Sequence, residues 1–319
     1  MVTITVPQEY HQKKLDRFLM DKFKSLPKSA IYKALRKKDI RVNGIKINQN
    51  IVLHFGDELM IYIKDEILYG NFAAQQEATH SLPFQIVYED QNLLLVNKQP
   101  GISVHPDKNT GEMTLIDLAV HYLKQKGEYH PDQPDSFPPA LCHRLDHYTG
   151  GIVIIAKTPE ALKVMLSKIK HREIKKYYQC IVKGCPVPKQ AELKHYLIKN
   201  KYKSLVYITD VPQKDALTII TRYRVLSSGS HMSRLEIELI TGRTHQIRAH
   251  MAYIGYPILG DDKYGNRQFN REFGAKHQAL WAYKVVFDFK DGGVLNYLKG
   301  SVFETDQIKF PVKKLEEGV

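Results

Sequence analysis

Apolar positions along this 319-residue chain follow two rhythms, and the switches between them mark its elements. Leu15, Phe18, Leu19 and Phe23 recur at helical spacing, and Ile31, Tyr32 and Leu35 repeat it beyond Pro27, with Ser29 placed to cap. Arg36-Lys37-Lys38 closes the second helix, where cations suit the helix dipole. The period then falls to two. Ile40-Arg41-Val42 and Ile45-Lys46-Ile47 alternate around Asn43-Gly44, the strongest short hairpin signal, and 58–63 predicts a further strand.

Residues 65–82 are polar without sustained period and predict a linker, which separates a first domain of residues 1–64 from a second of 83–319. In the second, 84–88 and 93–97 predict strands, Lys98-Gln99-Pro100-Gly101 a turn and 114–124 a helix. A Pro-rich loop leads to the unbroken apolar run 152–156, which predicts a strand buried on both faces. Thr158 and Pro159 open a helix with Leu162, Met165, Leu166 and Ile169 on one face. Further strands are predicted at 216–225, 233–240 and 285–289. Between the last two, Ile247, Met251 and Ile254 mark a helix ended by Gly255 and Pro257. Strands outnumber helices and do not alternate regularly with them, so the expected class is α+β and not doubly wound.

Charge changes this picture more than composition does. The net charge is +13, and residues 1–64 hold 13 Lys+Arg against 6 Asp+Glu, so over half the excess sits in a fifth of the chain. That points to a polyanion, although a solvated basic face would read the same way. No apolar run approaches a membrane span and no basic-then-apolar leader opens the chain, so neither anchor nor signal peptide is expected. Cys142, Cys180 and Cys185 are odd in number and lack metal-type spacing, which fits a reducing cytoplasm. Neither a Walker-type loop nor a Gly-rich dinucleotide motif is present, and His245 and His250 are badly spaced for a metal on one helix. No cofactor and no metal are expected.

The candidate chemistry lies in two dense runs. His143-Arg144-Leu145-Asp146-His147-Tyr148-Thr149-Gly150-Gly151 stands directly before the 152–156 strand, so Asp146 is presented on a turn held by a rigid element. Alone, it reads equally as a turn stabiliser. In Gly242-Arg243-Thr244-His245-Gln246-Ile247-Arg248-Ala249-His250, His245 and Arg248 share a helix face at a separation of three. A lone Arg248 reads as an ion pair or a phosphate contact. Tyr178, in Lys176-Tyr177-Tyr178-Gln179-Cys180, reads alone as a strand aromatic.

Together these runs resemble the signature of the RluA/RluC/RluD-type pseudouridine synthases, and RluC-like large-subunit rRNA synthases in particular. Residues 13–63 similarly resemble the RNA-binding module named after small-subunit ribosomal protein S-four. The resemblance implies a mixed, mainly antiparallel catalytic sheet with a central RNA-binding cleft. It implies a cytoplasmic, monomeric isomerase of uridine in 23S rRNA. The same chemistry on tRNA, or a non-catalytic ribosome-assembly factor, are the rival readings. It assigns Asp146 as catalytic carboxylate, Arg248 as its partner and Tyr178 as the base-stacking aromatic. His143, Arg144, Arg243 and His245, with Lys28, Arg36, Lys37, Lys38 and Arg41 of the first domain, are the expected RNA contacts. Four positions depart from the family pattern: Gln99 stands where proline is usual, Gly150 where serine is, Cys180 where alanine is common and Trp281 where histidine is.

Overall fold

Asn43 and Gly44 adopt φ of 51° and 81°, the left-handed pair that a tight hairpin turn demands, and so join β2 (Ile40–Val42) to β3 (Ile45–Ile47). The computed structural model describes residues 2–23, 26, 28–63, 68, 84–105, 113–200, 205–313, 315, 316 and 319. The chain divides into two compact units, residues 1–82 with 105–114, and residues 83–104 with 115–319. The linker expected at 65–82 lies outside the described residues, Leu68 apart, as does Pro27.

In the first unit, β1 (Val2–Thr5) and β4 (Glu58–Ile61) join the hairpin in an antiparallel sheet of order β1-β4-β2-β3. Helices α1 (Leu15–Lys22) and α2 (Lys28–Lys37) accompany it. Leu15, Phe18, Leu19, Ile31, Leu35 and Ile61 are fully or almost fully buried in its core. Two details differ from the pattern. Ser29 lies inside α2 and does not cap it. Ala34, not Tyr32, completes the apolar face with Ile31 and Leu35, because Tyr32 lies one step around the helix and gives its hydroxyl to Asp16 at 3.2 Å.

The second unit is built on β5 (Gln85–Glu89), β6 (Leu93–Lys98), β7 (Ala140–Leu141), β8 (Gly150–Ala156), β9 (Ile174–Lys183), β10 (Gln190–Lys199), β11 (Val206–Thr209), β12 (Leu217–Ser228), β13 (Met232–Leu239), β14 (Leu280–Phe287) and β15 (Val302–Glu304). Its main path runs β11-β10-β12-β13-β9-β14-β8-β6-β5, with β15 on β14 and β7 on β8. Among the described residues every pairing is antiparallel except β8 with β14. The chain is therefore α+β with a mainly antiparallel sheet. Helices α3 (Leu115–Gln125), α4 (Pro159–Lys170), α5 (Gln246–Tyr253) and α6 (Arg267–Glu272) complete it. No described helix is long and apolar enough to cross a membrane.

Strands β6 and β8 are buried at every position, and Leu93, Leu95, Ile152 and Ile154 share a core with Met165 of α4 and Phe287 of β14. Each such side chain contributes roughly 1.5–3 kcal/mol on burial. Thr158 caps α4 by accepting the Ala161 N–H at 3.2 Å, but Leu166 is exposed and Ala161 takes the buried place on that helix. Strand β14 starts at Leu280, earlier than the predicted 285, because Leu280-Trp281-Ala282 is buried on both faces and shows no alternation. Strands β10 and β11 had no apolar rhythm to announce them: β10 is largely polar and exposed on alternate residues.

Candidate active site

The turn that carries Asp146 is anchored at almost every residue. Thr149 N–H donates to the Asp146 carbonyl at 3.0 Å and closes the turn. The His147 carbonyl accepts from Gly101 N–H and from Lys98 Nζ, each at 3.0 Å. Lys98, at the end of β6, is wholly buried, and its other hydrogen bonds go to the carbonyls of Gln99 at 3.0 Å and Ile102 at 2.9 Å. Burial pushes its pKa down to about 7, against the pull of the Asp146 carboxylate. The ring of Tyr148 stacks on His277 with centroids 3.5 Å apart, and Gln278 donates to Thr149 Oγ1 at 3.3 Å.

Two glycines then let β8 lie against β14. A Cβ on Gly150 would stand 2.4 Å from Cε3 of the fully buried Trp281. A Cβ on Gly151, whose φ is +118°, would meet the Ala282 carbonyl oxygen at 2.2 Å. Trp281 is fixed in turn by its Nε1–H bond to Asn97 Oδ1 at 3.1 Å. The side chain of Asp146 keeps 28% of its surface exposed at this rigid point.

Arg248 meets Asp146 from α5. Its Nη1 donates to Asp146 Oδ2 at 3.0 Å. Its other edge forks onto Asp261, Nε to Oδ2 at 2.6 Å and Nη2 to Oδ1 at 2.9 Å, and Nη2 also reaches Asp262 Oδ1 at 3.1 Å. Burial opposes the charge of Arg248, yet hydrogen bonding and attraction to Asp261 and Asp146 raise its pKa overall. Burial likewise opposes ionisation of Asp261, but Arg248 and the N–H groups of Tyr264 and Lys263 hold its carboxyl below the usual range. The pattern predicted an amphipathic α5. Instead six consecutive residues, Gln246 to Met251, are buried, and the polar ones are paired. Gln246 Nε2 donates to the Ile220 carbonyl at 3.1 Å and to Thr221 Oγ1 at 3.0 Å, while His250 contacts Thr221 Oγ1 at 2.9 Å and His195 Nδ1 at 2.7 Å.

Strand order brings the third residue near. Tyr178 on β9 is paired with Ala282 on β14, which pairs in turn with Gly151 on β8. It is 5% exposed, and burial followed by the Asp146 charge raises its pKa, so the phenol keeps its proton. His245 was expected inside the helix. It is the N-cap residue instead, in the left-handed region at φ 53°, with Nε2 3.9 Å from Asp146 Oδ2.

The structure thus gathers Asp146, Arg248, Tyr178 and His245. The structure also describes the remaining sequence candidates. His143 is turned inward, where its Nε2 accepts the Ile154 N–H at 3.2 Å; burial and then Lys176 push its pKa down to about 3. Arg144 and Arg243 are exposed. In the first unit Lys28, Arg36, Lys37 and Lys38 are exposed, and the guanidinium of Arg41 lies 5.1 Å from the ring centre of Tyr62. The sequence reading gave no role to Lys98, Asp261 or Tyr264. A lysine closing the strand that opens Leu93-Leu94-Leu95-Val96 and the aspartate of Gly260-Asp261 were the available signals. Among the described residues no cluster of metal-ligating side chains occurs.

A partly exposed carboxylate on a clamped turn is thus paired with a buried guanidinium. Residues 92–253 match the family model for RNA pseudouridylate synthase. The Vibrio cholerae protein named ribosomal large subunit pseudouridine synthase C is 30% identical over 291 residues, 89% of this chain and 88% of that one. The Buchnera aphidicola protein named ribosomal large subunit pseudouridine synthase D is 31% identical over 288 residues, 86% of each. The solved structure of human RNA pseudouridylate synthase domain containing 4 shares the fold, with TM-score 0.52 and 23% identity over 63% of this chain and 83% of that one. The chain belongs to the RNA pseudouridylate synthase family and is an RNA pseudouridine synthase.

Proposed function

We propose that this enzyme isomerises uridine to pseudouridine in large-subunit ribosomal RNA in the cytoplasm, as a single chain, with Asp146 as the reacting carboxylate. The 3.0 Å contact between Arg248 Nη1 and Asp146 Oδ2 is the observation that carries the site. The guanidinium favours the ionised carboxylate and fixes its orientation. The names of the relatives from Vibrio cholerae and Buchnera aphidicola support the choice of RNA.

The target uridine leaves its stack to reach this buried turn. The C1′–N1 bond breaks with its electron pair going to the uracil, the base turns, a C1′–C5 bond forms, and C5 loses its proton while N1 gains one. Asp146 acts either as nucleophile or as the base that removes a sugar proton. Tyr178 stacks on the base, an interaction worth roughly 1–3 kcal/mol. The first unit serves as an S-four-like clamp on the phosphate backbone. Its exposed Lys28, Arg36, Lys37 and Lys38 support that reading.

Pseudouridine mapping in total RNA from cells with and without this protein tests the substrate. Loss of sites confined to large-subunit rRNA is expected, and loss confined to tRNA would overturn it. Asp146→Asn should abolish tritium release from C5-labelled RNA while RNA binding persists. Near-normal release by that variant would remove Asp146 from the mechanism.

A further inference from the structure

Asp146 has a second neighbour, His245, held from behind by a hydroxyl. The 3.9 Å between His245 Nε2 and Asp146 Oδ2 is too long for a hydrogen bond. His245 pairs no side-chain atom with the start of α5, although it is the capping residue, and it sits in a left-handed conformation that costs a residue with a Cβ. Its Nδ1 is 3.0 Å from the Tyr264 hydroxyl, which itself accepts the Val206 N–H at 2.9 Å. With one lone pair engaged there, the hydroxyl has its proton available for Nδ1. A ring nitrogen that accepts there leaves the imidazole proton on Nε2, the nitrogen nearer Asp146.

We propose that His245 is a catalytic hydrogen-bond donor to the uracil. Tyr264 positions it as the Nε2–H tautomer, and the carbonyl oxygen on C2 of the base lies within its reach. This rests on Asp146 being the reacting group. When the C1′–N1 bond breaks, the departing base carries negative charge on N1 and on the oxygen beside it. A preset donor at that oxygen stabilises the charge as it forms. Burial lowers the pKa of His245, Arg248 and Lys263 lower it further, and the Asp146 and Asp261 carboxylates oppose them. The neutral ring is therefore the working form.

Two arms test this in the full-length protein. Nitrogen NMR of histidine-labelled, RNA-free enzyme reads the tautomer, with the His245 signals assigned through His245→Gln. A protonated Nε2 and a bare Nδ1 are expected, with a mixture of tautomers in Tyr264→Phe. A proton on Nδ1 in the native protein would overturn the proposal. In the second arm, single-turnover tritium release is followed on unmodified 23S transcript at saturating enzyme.

His245→Leu should be slower by about 10²-fold, with unchanged RNA retention on filters. His245→Gln, which keeps an N–H at similar reach, should retain most of the rate. Tyr264→Phe should slow the enzyme in the histidine background and cost nothing further in the Gln background. A sulfur in place of the C2 oxygen at the target should shrink the difference between wild type and His245→Leu. The same change with a 2′-deoxy target instead would move the contact to the sugar and overturn the assignment to the base. A Leu variant as fast as wild type, or a Tyr264→Phe loss equal in both backgrounds, would also overturn it. The NMR arm uses no RNA, so it judges the histidine whichever RNA the enzyme takes. Failure of wild-type enzyme on the transcript counts only against the rRNA reading.

Discussion

Arg248 divides its donors among three carboxylates, giving a planar edge to Asp261, whose outer nitrogen also reaches Asp262, and its remaining nitrogen to Asp146. An ammonium cannot do both. Arg248→Lys keeps the charge but loses the fork, so the turn-facing contact shifts, and a misplacement of that size costs ~10²-fold in rate. Single-turnover kinetics beside thermal melts should show a rate loss far larger than the loss of stability. A Lys variant of normal speed would contradict the pairing. Two other buried rings set the acid limit of the fold. Burial pushes both His143 and His250 down to about 3, aided by Lys176 and His195 respectively. Unfolded histidine titrates near 6.5, so between these values the unfolded chain binds more protons. Their contribution is intact above pH 6.5 and is lost as pH falls through the window, with a slope of ~1.4 kcal/mol per pH unit per ring. Urea midpoints between pH 7 and 5 should fall accordingly, and His250→Gln should make the fall shallower. A flat profile would mean that the rings take up protons within the fold.

At the scale of elements, the β8–β14 junction explains two of the departures from the family pattern, Gly150 and Trp281, at once. Gly150 has no positive φ to justify a glycine; it is small because Trp281 fills the space above it. Gly150→Ser should therefore cost about 1–3 kcal/mol through overpacking. Trp281→His alone should also destabilise, by leaving a void. The double variant should lose less than the two singles combined, as urea midpoints would show; strict additivity would disprove the coupling. The sequence displays both residues but not their contact, because a parallel pairing between strands far apart in the chain leaves no local trace. By contrast the Asn43-Gly44 hairpin, the Thr158-Pro159 helix start and the buried run of β8 were legible, since each rests on local backbone or burial rules. The identities of Asp146 and Arg248 were legible as motif residues. The roles of Asp261 and Lys98 and the left-handed turn at His245 were not, because they come from partners elsewhere in the fold.

For the whole molecule, charge and chemistry fall on different stretches of chain. Residues 1–64 hold over half of the +13 net charge, and the residues gathered at Asp146 all lie in the second unit. The two units also have apolar cores with no residue in common. Deleting residues 1–63 should weaken rRNA binding and flatten its dependence on salt, because fewer counterions are released. A measurable rate should persist at saturating RNA. Filter binding across a salt series decides it: an unchanged slope would move the first unit from an RNA clamp to a protein-contact domain.

The junction at Trp281 also sets when the enzyme exists. Asp146 and β8 are synthesised early, but Gly150 and Gly151 rest on a strand that begins at Leu280, beyond the end of the family match at residue 253. At about 5–20 residues per second, the ribosome adds that strand on the order of ten seconds after β8. Throughout that interval the nascent chain carries Asp146 without the strand against which its turn is built.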